Sequence, residues 1–326
     1  MGRNSWTTAF THNPVDPLAG AGDPAIAYIA GRDFLAKHPG DVNFLQQQPL
    51  AVSLARRQQA DGSWKYPGGN TKLRSQENYD QLETFRNLAY LVQMFEFDQS
   101  NAVVERAVDF LLRFQTAEGD IRGILGDQYT PYYTAAMLEL FVKAGYSDDP
   151  RVLRAFQWLG SIRQDDGGWA IPLRTRGKAL EAITQDIPPL SPDRSKPFSH
   201  MVTGIVLRAY AAHPTYRHAP EATDAGKLLL TRFFKKDAYT DRADASFWTR
   251  FSYPFWFTDL ISAMDSLSLL GFSRDEPAMR QALDWFIDHQ GSDGLWRLKT
   301  LKNEKKFHTN LWISLAICRI YQRLYA

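Results

Sequence analysis

Placed at about 100° per residue on a helix, the ionisable side chains of five segments fall into polar stripes. Between residues 80 and 95, Asp80, Glu83, Thr84 and Asn87 share one face. Tyr132 and Glu139 align within 131–144, and His200 and Thr203 within 199–212. Over 255–270, Asp259, Ser262, Asp265 and Ser266 form a stripe on an otherwise apolar helix that carries no Lys or Arg. His308, Trp312 and Arg319 align within 307–322. A carboxylate buried without a partner is costly, so these stripes predict a shared polar cavity. Burial there would raise a carboxyl pKa, which is what a general acid needs. The catalytic candidates are Asp259, Asp265, Glu83 and His308. The substrate-binding candidates are Asp80, Tyr132, Glu139, His200, Trp256, Trp312 and Arg250. Arg250, with Arg242, is suited to an anionic head group such as diphosphate. The local alternative stands beside each: Asp80 as an N-cap, His308 as a helix-start residue, Glu83 and Glu139 paired to Arg86 and Lys143 on their own helices.

These stripes need helices to carry them, and the chain punctuates its helices repetitively. Arg57-Gln58-Gln59-Ala60-Asp61-Gly62-Ser63-Trp64 ends one segment, and Gln290-Gly291-Ser292-Asp293-Gly294-Leu295-Trp296 ends another. A third copy has Ile121 in place of Trp, after Gln115 and Gly119, and Gln164-Asp165-Asp166-Gly167-Gly168-Trp169 is one residue shorter. Gly ends a helix by taking positive φ, Gln reaches the freed backbone groups, and Trp packs against neighbouring helices. A second mark, Gly145-Tyr146-Ser147-Asp148-Asp149-Pro150 and Gly271-Phe272-Ser273-Arg274-Asp275-Glu276-Pro277, opens the helices between. Such in-phase recurrence is an internal repeat.

The punctuation predicts eleven helices of two kinds. One kind ends in the Gln-Gly-Trp turn. The other follows it and is apolar nearly all round, as Phe255-Trp256-Phe257 through Leu270 shows, so it is buried on most faces. Two concentric rings satisfy this alternation, an all-α (α/α)5–6 toroid over residues 23–326 preceded by a loose arm, 1–22. Asp23-Pro24 caps the first inner helix. All long connections follow outer helices and so open on one end, where function concentrates. The longest, 170–199, reads as a lid-like loop; it carries Arg174, Arg176, Lys178, Glu181, Asp186, Asp193, Arg194 and Lys196.

Composition narrows the class. A net charge of +2 over 38 basic and 36 acidic residues gives no case for nucleic acid. The lone Cys318 offers neither a disulfide nor a paired-thiolate metal motif, so no metal and no cofactor are expected. No apolar run is long enough to span a bilayer, and the opening residues are not patterned as a signal peptide. A cytoplasmic protein is expected, with peripheral membrane contact compatible.

The turns at Gln58–Trp64 and Gln290–Trp296 resemble the Gln-Trp repeat of squalene-hopene-type cyclases. The chain from about residue 24 is similar to the terpene cyclase and protein prenyltransferase superfamily, and most of all to its uncharacterised single-toroid prokaryotic members. The resemblance implies an (α/α) toroid and a hydrophobic, isoprenoid ligand. The cyclases' Asp-x-Asp-Asp acid is absent. Phe307-His308-Thr309 resembles the prenyltransferase His-Thr, yet Tyr253–Asp259 lacks the Asp-x-Cys that would complete a zinc site there.

The leading expectation is therefore a toroid binding a hydrophobic small molecule in its central cavity, with acid-catalysed cyclisation or transfer. A non-catalytic binding module on the same toroid is the second reading. A carbohydrate-active α/α barrel using paired carboxylates is the third.

Overall fold

The computed structural model describes residues 5–37, 41–69, 74–179, 188–301 and 308–325. Apart from one four-residue strand, Ile124–Asp127, the regular structure of the described residues is helical. Six outer helices are α1 (Val15–Ala19), α3 (Pro49–Arg56), α5 (Ala102–Leu112), α7 (Pro150–Ser161), α9 (Pro220–Leu230) and α11 (Pro277–Asp288). Six inner helices alternate with them: α2 (Pro24–Leu35), α4 (Gln76–Phe95), α6 (Pro131–Lys143), α8 (His200–Ala212), α10 (Leu260–Leu269) and α12 (Thr309–Tyr325). Each inner helix from α4 to α12 packs on the next, and Arg32 of α2 clasps Glu96, just past α4, with two bonds of 2.6 Å to close the ring. The inner helices are the buried ones. Every residue of α8 except Ala212 is buried, against four of α9.

The repeated turn is one structure used four times. Trp64, Trp169 and Trp296 are buried, and each indole N–H donates to the carbonyl ten residues earlier, Leu54, Leu159 and Phe286, at 2.7–2.8 Å. The backbone amides of Trp64, Ile121, Trp169 and Trp296 donate to hydroxyls on the following inner helix, Thr84, Thr134, Thr203 and Ser314. Gln58 and Gln115 each donate to their own turn's glycine carbonyl and to the first turn of the next outer helix, Val103 and Arg151. Gly62 and Gly119 have φ of +92° and +111°, and a Cβ on either would strike the next outer helix's backbone. The hydroxyl is thus the inner helix's lock on the turn. Ser314→Ala is expected to cost about 1–3 kcal/mol in a urea titration, because it strands a buried amide; a change within experimental error would show that the lock contributes nothing.

The opening residues, expected as a loose arm, supply the sixth repeat. Gln290 donates to the His12 carbonyl at 2.8 Å, as Gln58 does to Val103, and Gly294 abuts the Asn13 carbonyl. Trp6, Phe10, Val15 and Leu18 are buried, with Phe10 packed on Trp296 and Tyr321. A toroid must close, so the segment that follows the last turn in space is the first in sequence.

The second departure is in the lumen. The inner helix expected over 255–270 is α10, Leu260–Leu269. Residues 251–258 instead run as an irregular segment across the inside of the ring. Tyr253 donates to the Gln93 carbonyl and stacks on Trp312, Trp256 packs on Phe85, and Phe257 on Tyr132. The Arg208 guanidinium donates to the Phe255 carbonyl, and the Thr258 hydroxyl to the Met201 carbonyl. Gly204 is required there, because a Cβ would collide with the Thr258 side chain. Residues 180–187 of the expected lid, with Glu181 and Asp186, lie outside the described residues, as does Phe307. The described flanks of that loop are tied down: Arg174 pairs with Asp241, and Gln164 donates to the Asp193 and Lys196 carbonyls.

Candidate functional site

The lumen-crossing segment leaves a cavity on each side of itself. At the loop-bearing end, where the inner helices start, a cavity of about 290 Å³ is walled by Tyr90, Tyr253, Trp256, Phe257, Arg86 and Arg242 among others. Among the described residues, Arg86 and Arg242 are its only charged lining groups. The Arg242 guanidinium lies 3.6 Å from the centre of the Phe257 ring, and Arg86 5.1 Å from that of Trp256. Burial, with Arg250 nearby, lowers the Arg242 pKa. Beneath them, burial pushes Tyr132 and Tyr133 well into the protonated form, opposed by the surrounding arginines. The site is therefore cationic over an aromatic floor.

Of the residues expected to bind, Trp256 lines this cavity. Arg250 stands beside it on Phe247, with a buried Nε that has no acceptor among the described residues. Tyr132 lies under Phe257. Trp312 is buried in its stack with Tyr253. Glu83 faces Arg86 at 3.5 Å on the same helix, as the local alternative had it. Asp80 is not an N-cap, since α4 starts earlier and is capped by Ser75; it accepts from the Tyr66 amide at 2.8 Å and holds the 65–69 loop to α4. His200 is buried against Trp248, with Asp237 3.6 Å from Nδ1, and burial lowers its pKa. His308 is exposed and meets Asp23 at 3.1 Å.

The carboxylates do not converge as the stripes predicted. Glu139 is buried between Arg208 at 2.7 Å and Lys143 at 2.6 Å; burial opposes its ionisation but the two cations outweigh it and lower its pKa. Asp265 pairs with Arg323 of α12 and lines a different cavity, of about 540 Å³, where the inner helices end. Its neutraliser comes from another helix, which a single-helix projection cannot see. Asp259 is the N-cap of α10, in a reciprocal capping box with Ser262. It is buried, and burial pushes its carboxyl up to about 7 against the ionising pull of Ser262, Arg208 and the Ser252 amide. It does not line the loop-end cavity. Among the described residues no three His, Cys, Asp or Glu side chains gather as a metal site.

Sequence reading missed Tyr90, Tyr253 and Phe257 as cavity walls and treated Arg86 only as a partner for Glu83. The signal for α10 was present in Asp259-x-x-Ser262, a helix-start pattern. Arg208, alone among charges in an apolar helix, was the clue to the buried Glu139 pair.

Residues 81–175 match the family model described as the squalene-hopene cyclase C-terminal domain. The chain is 38% identical over 87 residues to a probable squalene–hopene cyclase of Sinorhizobium fredii, over 26% of this chain and 13% of that protein. It is 23% identical over 168 residues to the squalene–hopene cyclase of Bradyrhizobium diazoefficiens, over 45% and 21%. The match thus spans about a fifth or less of these relatives' length. Among solved structures, a protein from Actinoplanes is 13% identical over 98% of this chain and 90% of that one, with a TM-score of 0.43. A variant of the type II terpene cyclase MstE from Scytonema, in complex with geranylgeranyl dihydroxybenzoate, is 13% identical over 98% and 86%, with a TM-score of 0.41. The family-model match and the curated relatives support a likeness of this toroid to the terpene cyclase superfamily. No helix of the described residues is long and apolar enough to cross a membrane.

Proposed function

We propose that this terpene-cyclase-like toroid binds a hydrophobic, isoprenoid-type small molecule in its loop-end cavity, as a binding protein without acid chemistry at Asp259. The observation that carries the reading is the aromatic-walled cavity of about 290 Å³ at the end where the long connections open. That volume is at the small end of the usual range for ligand sites, about 300–1,000 Å³, and suits a short prenyl chain. The lumen that would hold a longer polyene is occupied by residues 251–258. Asp259, the carboxyl with the raised pKa, serves as a helix cap away from the cavity wall. Relatives named for squalene, a polyprenyl hydrocarbon, support the isoprenoid class.

Farnesol is expected to bind the full chain saturably in calorimetry. Trp256→Ala should weaken that binding at least tenfold, since it removes one cavity wall. Farnesol turned over to a cyclised product, absence of saturable binding, or binding indifferent to Trp256 would each overturn the reading.

A further inference from the structure

The outer helices repeat in register, and one of them is not covered. The third, sixth, seventh and tenth residues of α5, α7 and α11 are buried in all three. The ninth is aromatic in each: Phe110, Trp158 and Trp285. Phe110 and Trp158 are buried, whereas Trp285 is only half-buried.

The preceding turn makes the difference. A Cβ on Gly62 or Gly119 would strike the carbonyl of the fifth residue of the next outer helix, Arg106 or Arg154. Each turn therefore lies on the face that the fifth and ninth residues share. Ahead of α11 the chain runs from Leu228 to Phe234 without the Gln-Gly-Trp residues. Trp248, from the connection that follows, stacks on His200 of α8 instead. Trp285 consequently borders a groove of about 500 Å³ with Phe234, Gln281, Asp284 and Asp288.

The charge of that face is inverted as well. In the covered helices Arg106 and Arg154 donate to Oε1 of Gln58 and Gln115 at 2.7 and 3.3 Å. Arg113, just past α5 in the twelfth place, donates to the Asp61 carbonyl at 3.2 Å. In α11 the fifth and twelfth places are held by Gln281 and Asp288, with Asp284 between them. Among the described residues the groove's one base, Arg280, approaches Asp275 at 3.5 Å, and neither Asp284 nor Asp288 has an ion-pair partner. The chain's own turns carry Asp61, Glu118, Asp166 and Asp293, so the turn of a second copy would meet like charge there.

We propose that the groove on α11 is a docking site for a basic segment of a partner protein, seated where the preceding turn lies on α5 and α7. A lysine or arginine of the partner lies by Asp284, Asp288 and the ring of Trp285, which His289 steadies by stacking at 3.9 Å. An apolar side chain of the same segment fills the space beside Phe234. Exposed ion pairs contribute little by themselves. The carboxylates therefore select the partner, and burial of Trp285 supplies most of the affinity.

The test is calorimetry on the full chain with three end-blocked pentapeptides: Arg-Leu-Arg-Leu-Arg, Glu-Leu-Glu-Leu-Glu and Arg-Ser-Arg-Ser-Arg. The first is expected to bind saturably, and the other two at least tenfold more weakly. The double variant Asp284→Asn with Asp288→Asn changes two exposed residues; it should fold normally and bind the first peptide at least tenfold more weakly. Trp285→Ala should lose as much, and Glu105→Gln, at an exposed acid on α5, should lose nothing. Should Trp285→Ala fail to fold, the double variant decides. Absence of saturable binding, equal affinity for the acidic peptide, or an equal loss in Glu105→Gln would each overturn the docking site. The serine peptide binding as tightly as the leucine peptide would overturn the part given to Trp285 and Phe234. A dimer in sedimentation that Trp285→Ala dissociates would make the occupant a second copy and overturn the basic partner.

Discussion

Trp296→Ala is expected to lower the unfolding free energy by about 3–5 kcal/mol, the usual cost of truncating a large aromatic in a packed core. Trp296 is fully buried, and its indole N–H donates to the Phe286 carbonyl at 2.7 Å, so the variant loses a hydrogen bond as well as packing. The site is also where the ring closes. Phe10 sits edge-on to Trp296 at 5.6 Å, and the same turn anchors His12 through Gln290. Loss of the indole should therefore loosen residues 5–19 before the rest of the toroid, which limited proteolysis would register as early cleavage in that stretch. Trp296→Phe keeps most of the apolar area and should recover about half of the lost stability. A loss below about 0.5 kcal/mol for the alanine variant would contradict burial as the turn's contribution.

What was legible in the chain was what is local. The Gln, Gly and Trp of each turn are within seven residues of one another, and the turn geometry follows from their conformational needs, so helix ends and the two-ring alternation could be read directly. Ring closure could not, because nothing in residues 5–19 carries the repeat's marks; their place is set by Gln290 and Gly294 from the far end of the chain. The lumen was misread for a related reason. Phe255-Trp256-Phe257 is apolar on every face, and a short apolar run fits a buried helix and a buried extended segment equally well. Only contacts with Phe85, Gln93, Tyr132, Arg208 and Trp312, from four separate helices, decide the matter. The same limit governs the charges. Asp265 looked unneutralised on its own helix, and its partner Arg323 is some 58 residues away. The loop-end cavity combines one residue singled out beforehand, Trp256, with walls that acquire their role from the irregular segment 251–258.

Asp259→Asn is expected to stabilise the protein above neutral pH by up to roughly 4 kcal/mol. The folded-state pKa is raised, from 3.8 to about 7, with burial as the largest cause. The sign follows from proton linkage: between those values the folded chain holds a proton that the unfolded chain has released, so the wild type loses stability as the pH climbs through that interval. The interval corresponds to roughly 4 kcal/mol, fully incurred above about pH 7 and absent below about pH 4. Asparagine caps a helix as well as aspartate does, so the bond accepted from the Ser262 amide, 2.8 Å in the wild type, should survive, while the charge does not have to be buried. Other titrating groups, such as the buried His200, are common to both proteins and cancel in the difference. Urea titrations at pH 5 and pH 8 should therefore show the variant's advantage growing with pH. A constant difference, or a variant less stable at pH 8, would mean that Asp259 is ionised and well compensated in the folded ring. If the carboxyl is instead a poised acid open to ligand, farnesol binding by the wild type should change between pH 5 and pH 8 and that of Asp259→Asn should not. Since the cap faces Ser262 and the cavity wall excludes it, the same farnesol affinity is expected for both proteins at both pH values.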